Sequence, residues 1–359
     1  MREWARGTPQ TPTRRPASAI ATPLMFPDGT ELHTCATCRF DADAYTDRDA
    51  LATIADAAEL WDDWLHAVDE PVLNLRPEPG QPSALDLLAD TTTIVEWCVA
   101  GLERAEATDP ADLASRQRDR WDDDAPASLG ESLVRLDRAS HALADRWATL
   151  DAVHDDEPRL LRGEHVHPTA IVRHGAHAIT HHLSSVARLL AGFGVQSPPL
   201  TGRVAAVNVS DGGVPKRQVD QAHVGYRGLD GDVQRNRRHH GRVWQAVSLW
   251  SAEIIDGLRA DGHPIEPGAA GENLTVAGLD WSVLRLGTRL RIGERGPLLE
   301  LTAWATPCRH LRPLFSDGDV GRISATRDRT SSRVYAKVLR DGPVGVGDRV
   351  STVPLAPPA

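Results

Sequence analysis

Lysine, cysteine and long apolar runs are all scarce in this sequence of 359 residues. Its cations are almost entirely arginine, because lysine occurs only at Lys216 and Lys337. No apolar run approaches the ~20 residues that a membrane-spanning helix requires, so no membrane segment is predicted. Segment 1–32 is rich in arginine and proline but lacks the apolar core of a secretory signal. We predict a disordered extension there.

The four cysteines are too few and too scattered for the disulfide framework of a small secreted domain. We therefore predict a reducing, cytoplasmic location. Only Cys35 and Cys38 are close in sequence, as a Cys-x-x-Cys pair. Cys98 lies in an apolar helical stripe and is predicted to be a core residue. Cys308 stands alone behind a proline, at the end of a predicted strand.

The charge is distributed unevenly along the chain. Residues 1–200 contain 18 basic and 33 acidic residues, a balance of −15, whereas residues 201–359 contain 22 and 17, a balance of +5. This asymmetry indicates two domains with different ligands. Neither part is basic enough to indicate nucleic-acid binding.

Four stretches of the first part have the apolar spacing of amphipathic helices. These stretches are residues 47–68, 83–105, 132–150 and 168–194. Ser83 is a candidate N-cap, with Asp86 three residues later in the manner of a capping box. Loops rich in Asp, Pro and Gly separate the stretches. They predict an up-down bundle of four helices over residues 33–193.

The fourth stretch contains a cluster of histidines. His177 and His181 are four residues apart, so they share one helix face and could hold one metal ion. The segment HAITH has no glutamate after its first histidine, which excludes the metallopeptidase motif. Histidines on an exposed helix face are the alternative. Upstream, Cys35 and Cys38 beside His33 indicate either half of a zinc site, with other ligands from elsewhere, or a redox-active dithiol.

Two segments, RPEPGQPSALDLLADTTTIVEW and RHGAHAITHHLSSVARLL, resemble the DinB-like bundle of mycothiol-transferase type over roughly residues 40–195. That family binds a divalent metal with a histidine of its second helix and an HxxxH pair of its last. The resemblance assigns the pair to His177 and His181 and the second-helix position to Asp90, which departs from the family. A carboxylate still binds Zn²⁺ or a harder ion such as Ni²⁺. The resemblance therefore implies a divalent-metal site, such as zinc or nickel.

After a linker at residues 194–200, the sequence becomes rich in short β-branched runs separated by Gly, Asp and Pro. The pattern predicts a β-barrel or sandwich over residues 201–355, with one helix at 251–262. The runs are RVAAVNVS, QVDQAHV, VWQAVSL, RLRIG, LLELTAWA, RVYAKVL and DRVSTV. The predicted fold class is thus a multidomain α+β protein, with a helical bundle followed by a β domain.

Four short motifs of this β domain, in order, resemble the MOSC domain, a β-barrel with a few helices named for the C-terminal part of molybdenum-cofactor sulfurases. They are Gly228-Leu229-Asp230-Gly231-Asp232, His239-His240-Gly241, Gly271-Glu272-Asn273-Leu274 and Pro307-Cys308. Arg242 stands where the family has a second glycine, which adds a cation. No lysine has the context of a Schiff base, so pyridoxal phosphate is not predicted.

The MOSC resemblance implies a molybdenum pyranopterin cofactor, and a thiolate is a soft ligand suited to molybdenum or to a sulfane sulfur. Cys308 is then the catalytic residue, with Arg309 and His310 as neighbouring cations. The cofactor-binding residues implied are Arg227, Asp232, His240, Arg242, Glu272, Asn273 and Arg309, with Arg235, Arg237 and Arg238 as further phosphate ligands. The alternatives are a solvated loop for the arginines, turn formation for Glu272 and Asn273, and core burial for Cys308.

Several functions follow from these resemblances. The first is a molybdenum-cofactor oxidoreductase that acts on N-hydroxylated compounds with electrons from a redox partner protein. The alternatives are a persulfide-carrying sulfurtransferase supplied by a sulfur donor, a metal-dependent thiol S-transferase of mycothiol type in the bundle, and a non-catalytic cofactor carrier. The enzymatic alternatives act on a small-molecule substrate or sulfur donor, and neither a nucleic acid nor a membrane is a predicted partner.

Overall fold

The computed structural model describes residues 34–103, 128–152, 155–161, 164–234 and 240–356. Several sequence predictions lie outside these residues: the extension 1–32, His33, Arg235, Arg237, Arg238 and His239. None of the helices in the described ranges has both the length and the apolar character needed to cross a membrane.

The first part of the chain, called the helical half, comprises the described residues between 34 and 193. Its elements are α1 (Asp47–Ala55), α2 (Ala57–Leu65), α3 (Glu70–Leu73), α4 (Ala84–Leu102), α5 (Leu129–Ala152), the strands β1 (Arg159–Leu161) and β2 (Glu164–Val166), and α6 (Pro168–Gly192). The helix predicted at 47–68 is instead two helices that meet at Asp56, where ψ is 5°. Helices are present as predicted, but a DinB-like arrangement stays a prediction.

Local sequence signals set the helix ends. At the start of α4, the Ser83 hydroxyl accepts the Asp86 N–H at 3.1 Å, and the Asp86 carboxylate accepts the Ser83 N–H at 2.8 Å. Thr46 and Asp49 form the same capping box at the start of α1. Such boxes satisfy backbone donors that have no partner within the helix. The apolar faces of the helices then pack into one buried cluster.

The second part, called the barrel half, comprises the described residues from 201 to 356. Its elements are β3 (Thr201–Val209), β4 (Arg217–Val219), β5 (Gln221–Gly225), β6 (Gly228–Leu229), β7 (Val247–Ser251), α7 (Ala252–Ala260), β8 (Leu274–Ala277), β9 (Arg289–Ile292), β10 (Leu298–Trp304), β11 (Val334–Arg340), β12 (Gly342–Gly345) and β13 (Arg349–Val353).

Among the described residues, seven of these strands close into a barrel in the order β13-β9-β10-β11-β7-β8-β3. The barrel closes because β13 also pairs with β3, with Arg349 opposite Arg203. The β7–β8 pair is parallel, and the other barrel pairs are antiparallel. Aliphatic side chains fill the interior, including Leu249, Leu274, Leu290, Leu299 and Val350. Of the two predicted β architectures, the structure therefore has the barrel.

The two halves share a buried interface. Trp64 of α2 donates its Nε1–H to the Thr302 carbonyl of β10 at 2.6 Å. Val243 and Trp244 of the barrel half belong to the same apolar cluster as the helices. Gly287 has a φ of +83°, and a Cβ there would lie 2.6 Å from the Ala187 Cβ of α6. The backbone can approach α6 this closely because Gly287 has no side chain.

Lys337 lies at this interface in a buried ionic network. Its Nζ lies 2.9 Å from Glu300 Oε1 and donates to Ser184 Oγ of α6 at 2.7 Å. Ser184 Oγ lies 2.8 Å from Glu300 Oε1, and Arg289 Nε donates to Glu300 Oε2 at 2.9 Å. Burial alone would raise the pKa of Glu300, but Lys337 and Arg289 outweigh it and lower that pKa. The network therefore holds an ionised carboxylate between the halves.

We expect Lys337→Met to lower the free energy of unfolding by about 3–5 kcal/mol, because it leaves a buried charge without one of its partners. The double variant with Glu300→Met should recover part of this loss, since it replaces the whole pair with apolar groups. Urea unfolding measures both effects. As a control, Arg322→Met breaks the exposed pair of Arg322 and Asp317 and should leave stability nearly unchanged, because solvent screens such a pair. Equal losses in the two single variants would contradict the expectation.

Candidate functional site

A cavity of about 1080 Å³ lies between the barrel half and helix α2. Its barrel side is formed by residues that follow β3, by the segment 240–245 and by residues that follow β10. Its other side is formed by residues of the α1–α2 junction and of α2. Ligand sites are common at such junctions between domains.

Cys308 lies at the edge of this cavity. It precedes the 3-10 turn Arg309–Leu314, and its carbonyl accepts the Leu311 N–H at 3.1 Å. The Cys308 side chain is exposed, whereas Cys38 and Cys98 are buried. Its exposure excludes the core alternative for Cys308, and Cys98 lies in the core as predicted. A ligand in the cavity can therefore contact the free thiol of Cys308.

Buried donors without a protein partner lie in the cavity walls. Within the described part of the chain, Arg333 Nε, Trp244 Nε1 and Ser248 Oγ make no hydrogen bond, and all three residues line the cavity. Arg333 is held in place through Nη1, which donates to the Ala270 carbonyl. An unpaired buried donor costs about 1–3 kcal/mol. The cavity therefore favours a ligand rich in hydrogen-bond acceptors.

Lys216 lines the cavity, and its Nζ lies 2.6 Å from Oδ2 of Asp232, a predicted cofactor-binding residue that does not line it. The Asp232 carboxylate also accepts from Ser210 N and from Asn273 Nδ2, both at 2.9 Å. Asn273 Oδ1 accepts the Ser248 N–H at 3.1 Å. Burial lowers the pKa of Lys216, although Asp232 opposes the effect. Asp232 and Asn273 thus join separate loops around the cavity.

Four of the cofactor-binding residues predicted from sequence line the cavity: His240, Arg242, Asn273 and Arg309. Glu272 is instead fully buried, and its Oε1 accepts Gly268 N at 2.5 Å and Thr275 Oγ1 at 3.2 Å. Burial raises the pKa of Glu272. The alternative role in turn formation fits Glu272 better than contact with a ligand does.

Two of the arginines that were predicted to bind the cofactor contact carboxylates of the helical half. Arg227, between β5 and β6, lies 2.6 Å from Asp49 of α1 and does not line the cavity. Arg242 lies 2.8 Å from Asp56, and its guanidinium is 5.4 Å from the Trp244 ring centroid. Arg242 does line the cavity, but Asp56 opposes its charge.

Sequence reasoning missed Lys216 and Arg333 as cations of the cavity. Neither belongs to one of the four motifs, and Arg333 lies just before β11, where the sequence predicts an ordinary strand. The barrel topology brings the side chains of Lys216 and Arg333 to the cavity. Lys216 was detectable only as one of two lysines in the chain.

Helix α2 and its N-terminal end place three carboxylates in the opposite wall, those of Asp56, Glu59 and Asp63. Asp63 Oδ2 accepts the backbone N–H of Trp304 at 3.4 Å. Burial raises the pKa of Asp63 to about 6. The cavity therefore has cations on its barrel side and carboxylates on its helical side.

A second group of ligand-type side chains lies in the helical half. Among the described residues, those that offer ligand atoms all within 4.8 Å of one another are Cys35, Cys38, His177 and His181. Cys35 Sγ lies 3.3 Å from His181 Nδ1. Burial raises the pKa of Cys38, whereas hydrogen bonds, first that with Cys38, lower the pKa of Cys35.

This group contains the predicted ligands His177 and His181 but not Asp90 of α4, so a role for Asp90 stays a prediction. The sequence indicated the two cysteines as half of a site and the two histidines as a pair, and the fold joins them. The physical reason is that the turn carrying the cysteines packs on α6: the Phe40 and His177 rings are 4.9 Å apart. The neighbouring His182 is outside the group, with Nδ1 2.8 Å from Thr91 Oγ1.

Comparison with known proteins identifies the second part of the chain. Residues 236–351 match the model of the MOSC domain, a range that contains three of the four motifs. A curated relative is YflK of Bacillus subtilis strain 168, described as uncharacterized, which is 28% identical over 137 residues. The aligned region covers 38% of this chain and 60% of YflK. The chain thus matches less than two thirds of that relative's length.

Solved structures similar to this chain include the YuaD protein from Bacillus subtilis, with 19% identity and a TM-score of 0.36. That match covers 44% of this chain and 98% of the other. A second is YiiM from Geobacillus stearothermophilus, with 22% identity and a TM-score of 0.34, covering 44% and 75% of the two chains.

Asp63 gives the protein a pH-dependent stability. Its pKa of about 6 in the folded state exceeds the value of about 4 in an unfolded chain. The associated stabilisation is therefore complete below about pH 4 and is lost as the pH rises through about 6. Asp63→Asn, which keeps an acceptor for Trp304 N, should raise the free energy of unfolding at pH 8 by about 1–3 kcal/mol.

Urea unfolding at pH 5 and pH 8 measures this difference. The matched control is Asp62→Asn, since Asp62 is the exposed neighbour of Asp63. The same pH dependence in both variants would show that Asp63 is not its source.

Proposed function

Because residues 236–351 form a MOSC domain, we propose that the cavity beside Cys308 binds a molybdenum pyranopterin cofactor. The protein would then be an oxidoreductase that acts on N-hydroxylated compounds. One observation supports this proposal above the others: an exposed thiol lies at the edge of a large cavity whose walls contain buried donors without protein partners.

The cavity suits the size and charge of such a cofactor. Its volume of about 1080 Å³ slightly exceeds the range of about 300–1,000 Å³ for small-molecule sites, so a large cofactor has room. Arg309 and Arg333 line it and make no ion pair with the described residues. Guanidinium groups bind phosphate oxygens through two parallel hydrogen bonds. These two arginines are therefore the proposed phosphate ligands.

The hydrogen bonds of the predicted pterin-binding residues support a different proposal for the groups that contact the pterin. The Asn273 amide is engaged by Asp232, Ser248 N and the Asn208 carbonyl, and Glu272 is enclosed in its turn. Trp244 Nε1 and Ser248 Oγ have no such partners among the described residues. We assign recognition of acceptor atoms of the cofactor, such as the pterin carbonyl and the phosphate oxygens, to these two donors.

Cys308 would supply a thiolate ligand to molybdenum, which prefers soft sulfur donors. When bound, the cofactor supplies the redox chemistry, and the protein supplies binding and orientation. The exposed position of Cys308 leaves the reacting centre open to a small substrate. Electrons would come from a redox partner protein. The four free cysteines agree with the proposed cytoplasmic location, where thiols stay reduced.

We expect protein from a host that makes the cofactor to contain molybdenum and pterin in near-equal amounts, measured by elemental analysis and by the fluorescence of the oxidised pterin. Cys308→Ser should lose the reduction of an N-hydroxylated compound by an artificial electron donor, yet retain pterin. Arg333→Lys should retain pterin about tenfold less tightly, since a hydrogen bond to a charged group contributes about 1.5–3 kcal/mol.

The matched control is Arg322→Met, which removes an exposed arginine outside the cavity and should keep full cofactor content. Wild-type protein without molybdenum and pterin would overturn the proposal. In that case, a gain of one sulfur atom on Cys308 after exposure to a sulfane donor would identify a persulfide-carrying sulfurtransferase. Bound cofactor without turnover would identify a carrier.

A further inference from the structure

The group of Cys35, Cys38, His177 and His181 lies outside the MOSC cavity and has no part in the function proposed above. We propose that these four side chains bind one zinc ion in a closed tetrahedral site, and that this site fastens the helical half to the barrel half.

The ligand set has suitable geometry for zinc. Zn–S distances of about 2.3 Å and Zn–N distances of about 2.0 Å place tetrahedral ligand atoms about 3.3–3.8 Å apart. The ligand atoms of the group lie within 4.8 Å of one another, so a contraction of about 1 Å suffices. Side-chain torsions can supply such a movement without a change of fold.

The charge of the ligand set also favours zinc. Two thiolates and two neutral imidazoles balance the two positive charges of Zn²⁺, so the complete site is neutral. A neutral site is suited to its position, because Cys38 and His177 are buried and Cys35 and His181 are half-buried. Thiolates select zinc over hard ions such as Mg²⁺ or Ca²⁺.

Four protein ligands leave no open coordination position, which is typical of structural zinc rather than catalytic zinc. A thiol S-transferase would need an open position to bind and activate its thiol. The observed ligand set therefore favours a structural role over the transferase alternative.

The two cysteines lie in a tight turn of residues 34–41, which we call the cysteine turn. An antiparallel bridge joins Thr34 and Asp41, Cys35 N donates to the Phe40 carbonyl at 2.8 Å, and Arg39 N donates to the Cys35 carbonyl at 2.7 Å. Arg39 has a φ of 58°, which is uncommon for a residue other than glycine. Such a conformation persists when surrounding contacts hold it.

Arg39 connects the cysteine turn to the barrel half. Its Nη1 donates to the Val338 carbonyl of β11 at 3.0 Å and to Asp341 Oδ1 at 2.7 Å. Its guanidinium also lies 5.4 Å from the ring centroid of Tyr226. One turn thus contacts α6 through its thiols and the barrel through its arginine. Zinc on the thiols would hold both contacts together.

The first experiment measures zinc in the purified full-length chain by elemental analysis. We expect about one zinc per chain in the wild type, and loss of zinc in Cys38→Ser and His177→Asn. The matched control is Cys308→Ser, which removes a cysteine outside the group and should keep its zinc. Where a variant fails to fold, cobalt exchange into wild-type protein should produce the absorption of tetrahedral thiolate-bound cobalt.

The second experiment tests the fastening role. Arg39→Ala should keep the full zinc content but lower the melting temperature, and removal of zinc from the wild type should lower it further and reversibly. Limited proteolysis should then cut the zinc-free protein near residues 34–41 faster than the zinc-bound protein.

Several results would overturn the inference. These are wild-type protein that contains no zinc and gives no cobalt–thiolate absorption, a Cys35–Cys38 disulfide in place of metal, or full zinc in Cys38→Ser. An unchanged melting temperature in Arg39→Ala would overturn the fastening role alone. The readouts are zinc and stability, so they are independent of molybdenum and of the function proposed for Cys308.

Discussion

The packing of α2 against β10 determines where every other part of the candidate site can lie. The indole of Trp64 is buried against the barrel and donates to the Thr302 carbonyl, and Lys337 neutralises Glu300 beside the Ser184 hydroxyl of α6. Separation of the halves would expose apolar surface and break the hydrogen bonds of Ser184 with Glu300 and Lys337. The cavity depends on this contact, because α2 is one of its walls.

Part of the charge difference between the two parts of the sequence is neutralised at this interface. The acidic first part and the basic second part suggested separate ligands, but some of these charges pair with each other. Arg227 pairs with Asp49, and Arg242 pairs with Asp56. Carboxylates of the helical half therefore offset the positive charges of Arg227 and Arg242.

The fold was predictable where periodicity and turn residues act locally. Capping at Ser83 and the β-branched runs placed most helices and strands, but the break at Asp56 was not apparent because the helical spacing continues through it.

A residue of the candidate site was predictable only where it belongs to a sequence motif. Cys308 belongs to a motif and lies at the cavity, whereas Arg333 does not and reaches the cavity through strand pairing. Glu272 was left between ligand contact and turn formation, because the sequence does not show that its carboxylate accepts a hydrogen bond from its own loop. The Cys-His group escaped prediction as a unit because Cys35 and His181 are 146 residues apart.

The two lysines of the chain are both held in ion pairs with little side-chain exposure, Lys216 with Asp232 and Lys337 with Glu300. An arginine-rich surface carries its positive charge without nucleophilic amines, because guanidinium groups stay protonated. Reagents and enzymes that acylate or glycate ε-amino groups would therefore find little to modify in the folded molecule. Modification at either lysine would mark molecules in which the cavity wall or the junction of the two halves had opened.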